Sequence, residues 1–565
     1  MGIPQVIEET VTAARNAYLV DHFGSELHHL SADRAALWPK IDHLTYLPIL
    51  GLRRARDLYY YQGEGLCSLY GYTYKYLTLE HFLGQLTRVQ VSALLAERLA
   101  YTYVQAWYPD HGPLTIFADW HIKPHWTKTY SHTGHVTMWG RTMPGTKQLI
   151  VNGREGRLLG GWNYPIDAHL THVLVDLEAA LESTLERPIA CSIFDGEGGG
   201  LPLAERYAAA ERGYISILPR HHNHGLVEFD LVDTWQPVKG DPDREAVLAR
   251  WADSKKATED PRHFVLMRPL GEREPTRIYA GRFAEQFAAA LVPWMHRRRW
   301  SCNELRIRDL VQGANLNCNY GYTSTQVPNR TRQRQWEAAQ NKVTVTERQL
   351  ANQRAAVCNL RRRLADLQDK YTRQLRKLEQ QLVQQRQQLR QRQRSGKASI
   401  RCQQRLRHLY HERIDQAQRF QKRQRALFRQ LHQHRTQSHV LRRRLRSRIA
   451  ARDAIDTPTM CRERDLEKDQ IMLNLQILLA NLHDWAATHY FASEWQQLSL
   501  EKATQMIYRK AGHVTWYFDR IEVALEPYRY RDQQRAMETT CARFNAADLR
   551  WRDGRLLRIS VQCLD

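Results

Sequence analysis

The chain has few cysteines for its length and no long apolar run. Nine cysteines are scattered over 565 residues without any Cys-x-x-Cys spacing, which argues against a zinc ribbon or a disulfide framework and for a reducing compartment. No stretch approaches 18 uncharged apolar residues, and the N-terminus lacks a basic segment followed by an apolar one. We therefore expect a soluble protein of the cytoplasm, without a membrane span.

Acidic residues are scarce in one segment. Residues 330–455 contain 34 Lys and Arg but only eight Asp and Glu, whereas the rest of the chain has 49 Lys and Arg against 52 Asp and Glu. The formal net charge of +23 therefore belongs to this segment. An extended polyanion, namely nucleic acid, is the partner that such a charge distribution favours.

Apolar residues, mostly leucine, recur in the same segment at coiled-coil spacing. They step by three, four or seven residues from Leu350 to Leu389, and the period resumes from Leu406 to Ile449 after Ser395-Gly396-Lys397. This pattern predicts an antiparallel coiled-coil hairpin over 331–455, with a parallel dimeric coil as the alternative. Because these arms carry Arg and Gln with almost no acid, we expect DNA contacts along them, including Arg361, Arg362, Arg363, Arg442, Arg443 and Arg444.

Three other regions flank the basic segment. Residues 1–110 look helical, and two short amphipathic stretches between 78 and 99 fit either a DNA-binding helix-turn-helix or any small helical subdomain. Residues 111–330 have an α/β pattern with a β-rich insertion at about 226–281. Residues 456–565 read as a small α+β module.

Two apolar strands each deliver an aspartate. Asp119 ends the strand-like run that starts at Leu114, and Asp195 ends the run that starts at Ile189. Between them the sequence predicts two more strands joined at Pro144-Gly145 and a crossover helix over 167–186. Three meandering strands, a helix and a parallel fourth strand make the ribonuclease-H-like order, in which the ends of the first and fourth strands are neighbours.

A third acid completes the candidate site. Glu304 opens a helical stretch after Arg297-Arg-Arg-Trp300, so a helix can bring it to the sheet edge that carries the two aspartates. Three carboxylates in this arrangement are the ligands that hard divalent cations prefer, and such sites cleave phosphodiesters. Glu197, two residues beyond Asp195, is a competing ligand.

The motifs that surround the acids resemble a known family. Phe117-Ala-Asp119-Trp-His121, Phe194-Asp195-Gly196 and Arg299-Trp300-Ser-Cys-Asn-Glu304 are similar to those of ribonuclease-H-fold DDE transposases of bacterial insertion sequences, especially those with a β-insertion before the final glutamate. The chain departs from the Tyr-x2-Arg-x3-Glu-x6-Lys signature of that group, because Arg297, Trp300 and Val311 occupy the Tyr, Arg and Lys positions.

The resemblance implies a function and its residues. Asp119, Asp195 and Glu304 would be the catalytic residues and would hold Mg²⁺ or Mn²⁺ for cleavage and strand transfer of double-stranded DNA. Phosphates of the element ends and of the target would be contacted by Arg298, Arg299 and Arg308. A homodimer or higher oligomer on bacterial DNA is expected, because transposition joins two ends.

Two other functions stay open. The chain is alternatively a non-catalytic DNA-bridging coiled-coil protein with a relic nuclease fold. The form Asp119-x-His121 also occurs in metal-dependent phosphoesterases and nucleases, although their Gly-Asn-His motif is absent from this sequence.

Overall fold

The protein has a mixed α/β fold with a long helical region, as expected from the sequence. The computed structural model describes residues 7, 9–10, 13, 34–61, 75–127, 132–218, 226–283, 289–320, 324–395, 400–455, 460–551 and 553–563. Two compact units emerge: unit 1 comprises Met1–Val327 and Arg462–Asp565, and unit 2 comprises Pro328–Cys461. Unit 1 is therefore built from two separate stretches of chain.

A mixed sheet forms the centre of unit 1. Its first part consists of β1 (Leu114–Pro124), β2 (Thr133–Val136), β3 (Arg141–Gly153), β4 (Leu158–Pro165), β5 (Ile189–Ile193) and β6 (Tyr214–Ile217). The order across this part is β4-β3-β1-β5-β6, with β2 beside β3. β1, β3 and β4 are antiparallel neighbours, whereas β5 is parallel to both β1 and β6.

Two local predictions for this meander were wrong. Pro144-Gly145 does not form the turn; both residues lie within β3, where they pair with Thr133 and Pro124. The chain instead reverses through the 3-10 turn Thr137–Trp139 and Gly140, whose φ of 58° suits a residue without a side chain. The third strand of the meander, β4, was not predicted, because its sequence Leu-Leu-Gly-Gly-Trp-Asn-Tyr-Pro lacks an alternating pattern.

The β-rich insertion extends the same sheet. Its strands are β7 (Phe229–Leu231), β8 (Gln236–Val238), β9 (Asp241–Trp251), β10 (His263–Pro269) and β11 (Arg277–Arg282). β11 pairs antiparallel with β6, and the order continues through β10 and β9 to β7, so the described residues form one eleven-stranded sheet. The charged run from Gly240 to Arg244, predicted to interrupt the strands, starts β9 instead.

Helices cover the sheet and connect the two stretches of unit 1. They are α1 (Arg34–Ile49), α2 (Tyr76–Arg88), α3 (Val91–Trp107), α4 (Leu170–Leu185), α5 (Leu201–Ala209), α6 (Ser254–Glu259), α7 (Leu291–Arg299) and α8 (Leu305–Gly313). α4 is the crossover between β4 and β5, and its apolar face packs on β1 and β5 in one core cluster. α2 and α3 are the two amphipathic stretches read from the sequence as a possible helix-turn-helix.

The C-terminal stretch completes unit 1. It contains β13 (Met460–Arg464), which pairs with β12 (Ser324–Pro328), then α11 (Leu466–His489), α12 (Leu500–Ala503), β14 (Gly512–Trp516), β15 (Arg520–Leu525), α13 (Arg531–Ala546) and β16 (Leu556–Val561). α11 is buried on nearly every side, and its residues share one core cluster with those of α1, α2, α3 and α8. The predicted four-domain division stays a prediction.

Unit 2 is a helical hairpin of α9 (Arg330–Arg394) and α10 (Ile400–Asp453), each about 80 to 100 Å long at 1.5 Å per residue. As the residue number increases along α9, the number of its contact residue on α10 decreases. Gln353 contacts His434, the rings of Tyr371 and Phe420 stack at 4.1 Å, and Glu379 contacts Arg413. The two helices are therefore antiparallel. Gly396, at the predicted turn, lies outside the described residues.

Across the described residues, none of the helices combines the length and the apolar character that a membrane crossing requires.

Candidate active site

The sheet brings the two predicted aspartates side by side. β1 and β5 run parallel, with Phe117 opposite Ile193, so continuing this register sets Asp119 level with Asp195. Asp195 was expected to end its strand, but β5 stops at Ile193 and Asp195 follows it by two positions. Asp119 does not end its strand; β1 continues to Pro124 because it stays paired with β3 over those residues.

A π-helical turn carries the third acid. α7 and α8 form one continuous helix, joined by a π turn at Trp300–Glu304, so Glu304 lies inside a helix that begins earlier than predicted. The N–H of Leu305 bonds to the carbonyl of Trp300, the five-residue spacing of a π-helix. Such turns occur mostly as single insertions in α-helices and often at functional sites.

Two buried asparagines hold this turn against β3. The Asn152 side chain donates to the Cys302 carbonyl at 2.6 Å, and the Asn303 side chain donates to the Ile150 carbonyl at 3.3 Å. Ile150 is the residue that pairs with Asp119 across the strands. Gly156 lies against the Cys302 backbone so closely that an added Cβ would come within 3.2 Å of it. Asp119 and Glu304 are thus tied to one rigid frame.

The three acids converge on one guanidinium. Arg299 Nη1 lies 2.5 Å from Asp119 Oδ2, and Arg299 Nη2 lies 2.6 Å from Glu304 Oε1 and 3.7 Å from Asp195 Oδ1. The Arg299 side chain is 11% exposed, while that of Asp195 is 54% exposed and opens the cluster to solvent. Asp119, Asp195, Glu304 and Arg299 are called the acid cluster below.

Burial and charge act in opposite directions on Asp119. Burial raises the pKa of Asp119 to about 6, the Arg299 guanidinium pulls it back, and the neighbouring Asp195 and Glu304 carboxylates push it up. A backbone hydrogen bond from the N–H of Trp120 also favours the charged form. The site therefore concentrates negative charge that one arginine only partly neutralises.

The donor chemistry suits a divalent cation, but the present geometry does not. Carboxylate oxygens are the ligands of Mg²⁺ and Mn²⁺. Among the described residues, however, no three acidic, histidine or cysteine side chains approach closely enough to share one ion. The Arg299 guanidinium instead contacts all three carboxylates.

The other arginines of the basic run have different partners. Arg297 pairs with Asp241 of β9 at 2.7 Å, and Arg298 donates to the Arg154 carbonyl at 2.7 Å while it lies over the Trp294 ring. Arg299 was expected to contact a DNA phosphate, but here its guanidinium is bound to the carboxylates.

The third candidate for a phosphate contact is placed differently. Arg308 is exposed and lines a groove of about 740 Å³ next to α8. Its guanidinium is therefore open to solvent beside the helix that carries Glu304.

The competing ligands point elsewhere. Glu197 Oε1 accepts from the first N–H of α4 at Leu170 and lies near Lys147 and His169, away from the acid cluster. His121 Nε2 shares a 2.7 Å hydrogen bond with Asn317, and burial lowers the pKa of this histidine to about 4. Neither residue joins Asp119 in a ligand set.

A second candidate surface lies on the hairpin of unit 2. A groove of about 500 Å³ is lined by two arginines from each arm, one heptad apart: Arg354 and Arg361 on α9, and Arg435 and Arg442 on α10. None of the groove's lining residues is acidic. The remaining arginines of the two triplets are also exposed: Arg362, Arg363, Arg443 and Arg444.

The three acids were predicted from the sequence, but the arginine and the two asparagines that hold them in place were not. The signal for Arg299 was present in the run of arginines five residues before Glu304, yet its charge suggested DNA instead. Asn152 and Asn303 carried no usable signal, because an isolated asparagine in a strand or helix has many structural roles.

Comparison with known proteins found no family model that matches the chain and no match among the curated proteins. The functional argument therefore rests on the geometry of the chain itself.

Proposed function

We propose that this chain is a DDE-type transposase with a ribonuclease-H-like catalytic core, which binds the ends of its element and cuts and joins DNA. The observation that carries the proposal is the convergence of Asp119, Asp195 and Glu304, from three elements and over 180 residues of sequence, on one point. The strand order β4-β3-β1-β5-β6, with an antiparallel meander followed by two parallel strands, supports the fold assignment.

Each residue of the site has a role in this proposal. Asp119 lies within β1, Asp195 lies just beyond the end of β5, and Glu304 approaches them from the helix, so the three carboxylates would surround the reacting phosphate. With the Arg299 guanidinium moved away, the three carboxylates would hold Mg²⁺ or Mn²⁺, which would supply activation of the attacking water or 3′-hydroxyl and stabilisation of the leaving oxygen. Arg308, exposed beside the same helix, is suited to hold a DNA phosphate.

Strand transfer tests this function. DNA from either side of the reading frame supplies candidate ends for a plasmid assay with Mn²⁺, in which joined products are measured. Asp195→Ala and Asp119→Asn should each reduce joining by more than about a thousandfold, because they remove a carboxylate from the reacting centre. Glu197→Gln, two residues from Asp195, is the matched control and should retain activity. Intact joining by Asp195→Ala would disprove the assignment.

A second candidate function has one observation in its favour. An arginine neutralises the carboxylates of the acid cluster, as in a purely structural network of ion pairs. A non-catalytic DNA-bridging protein with a relic nuclease fold therefore also fits this geometry. Absence of joining by the natural chain, combined with intact DNA binding, would favour this alternative.

The hairpin of unit 2 is proposed to grip the DNA backbone. Four arginines face one groove that has no acidic lining, so their mutual repulsion is relieved by a polyanion. Contacts of this kind recognise phosphates and not base sequence. Two copies of the chain would act on two DNA ends, which makes a homodimer or higher oligomer on DNA part of the proposal.

A further inference from the structure

The guanidinium of Arg299 is held by the three carboxylates of the acid cluster. Both terminal nitrogens contact carboxylates, whereas the buried Nε has no hydrogen-bond partner among the described residues. An arginine anchored elsewhere would use its Nε as well, because the guanidinium has five donors. Among the described residues, the polar partners of this guanidinium are therefore the three acids.

The π turn is what allows this contact. In an α-helix, residues five apart point about 140° away from each other at 3.6 residues per turn. In a π turn the hydrogen bond itself spans five residues, so Arg299 and Glu304 come onto the same side of the helix. Arg297 and Arg298 lack this relation to the glutamate and bind other groups.

Three carboxylates at this distance require a cation. Asp119, Asp195 and Glu304 repel one another because all three lie around one guanidinium, and the single positive charge of Arg299 leaves the cluster with a net negative charge. We propose that Arg299 is the resident cation of this site and competes with divalent metal ions for it. Metal binding then requires the Arg299 side chain to leave the carboxylates. The identity of the incoming ion rests on the proposed function.

Competition weakens metal binding in a defined way. If the site is open to metal only when Arg299 has moved out, the apparent affinity falls in proportion to the open fraction. Removing the guanidinium should therefore strengthen metal binding although it removes no ligand. An ordinary structural arginine would have no such effect, since its loss would loosen the site.

Manganese titration of the DNA-free full-length protein tests the proposal. Free Mn²⁺ is measured by its electron paramagnetic resonance signal. Arg299→Gln should bind Mn²⁺ about tenfold or more tightly than the natural chain. Arg298→Gln, one residue away on the same helix with its guanidinium on a backbone carbonyl, is the matched control and should bind as the natural chain does. Adding Asp119→Asn to Arg299→Gln should abolish the gain.

Stability provides a second readout. Without metal, Arg299→Gln should melt at a lower temperature than the natural chain, and Mn²⁺ should restore more of its stability than it adds to the natural chain. If Arg299→Gln does not fold, Arg299→Lys replaces it, because an ammonium cannot bridge two carboxylates as a guanidinium does.

Two results would overturn the inference: no gain in Mn²⁺ affinity for the Arg299 variant, or an equal gain for Arg298→Gln. Neither result depends on strand transfer. If the Arg299 variants show no such gain in Mn²⁺ affinity but Asp195→Ala still abolishes joining, the proposed function remains intact.

Discussion

Glu178 is a carboxyl group buried in the core of unit 1. It lies on α4, accepts a hydrogen bond from the Tyr207 hydroxyl and has Arg212 at 3.8 Å. Burial raises the pKa of Glu178 to about 7, despite these favourable neighbours. In the folded protein this residue holds its proton to a higher pH than it would in the unfolded chain.

This proton affinity predicts a pH-dependent stability. Between the ordinary pKa of 4.5 and the folded value of about 7, the folded state binds more protons than the unfolded state, so the free energy of unfolding falls as pH rises. The loss contributed by Glu178 should reach roughly 3 kcal/mol above pH 7. Urea unfolding of Glu178→Gln between pH 4.5 and 8 should remove this part of the slope.

The control for this measurement is Asp176→Asn, which changes a largely exposed carboxyl on the same helix. It should keep the slope of the natural chain. A Glu178→Gln variant with the full slope would show that the proton is bound elsewhere.

Helical elements allow an equally direct test at the π turn. Inserting one alanine after the exposed Ser301 should rotate Glu304 by about 100° relative to Arg299, because each added helical residue turns the chain by about 100°. The three acids would no longer meet, so strand transfer should fall by more than about a hundredfold. Ser301→Ala, which removes only the hydroxyl, should keep activity. Circular dichroism checks that the insertion variant is folded, and an active, folded insertion variant would contradict the role of the turn.

The arginine groove of the hairpin makes a prediction about salt. Replacing Arg354, Arg361, Arg435 and Arg442 with Gln should weaken binding to cognate and random 30-base-pair duplexes about equally. The slope of log affinity against log salt should flatten by about 3 to 4 units, because each phosphate contact contributes about −0.9. Fluorescence anisotropy at several salt concentrations measures both quantities.

The matched control removes the same charge elsewhere on the hairpin. A variant with Gln at Arg373, Arg376, Arg419 and Arg423, four exposed arginines that do not line this groove, should lose less affinity and less slope. Equal losses in the two variants would mean that the charge of the hairpin acts diffusely. If the groove variant lost much more affinity for the cognate duplex than for the random one, the groove would be a recognition site.

Elements with strong local patterns were predictable, and elements defined by distant contacts were not. β1, β5 and α4 have apolar runs or a clear helical period, so the two aspartates could be assigned to neighbouring strands, although not to their exact ends. β4 owes its place to pairing with β3, and the π turn owes its geometry to Asn152 of that strand. β4 leaves no local trace because its sequence does not alternate, and the π turn leaves none because Asn152 lies 150 residues from Cys302 in sequence.

At the scale of the molecule, α11 shows why the boundaries of unit 1 were hard to predict. Its sequence is apolar around almost the whole helix, which indicates deep burial but names no partner. In the fold it packs on β4 and α3, and the buried ion pair between Lys123 of β1 and Asp469 connects it to the sheet at 3.1 Å. The C-terminal stretch is therefore part of the core around the site, and unit 2 lies in the sequence between the two stretches of unit 1.

The pairing of the two hairpin arms has a consequence for how this protein could vary in length. Because α9 and α10 pair in antiparallel order, removing a heptad from each arm at facing positions leaves every remaining pair in register. Removing a heptad from one arm alone would shift all pairs beyond it by about 10 Å. Natural relatives, or engineered versions, should thus gain and lose hairpin length in matched steps, with the points where the chain enters and leaves the insertion unchanged.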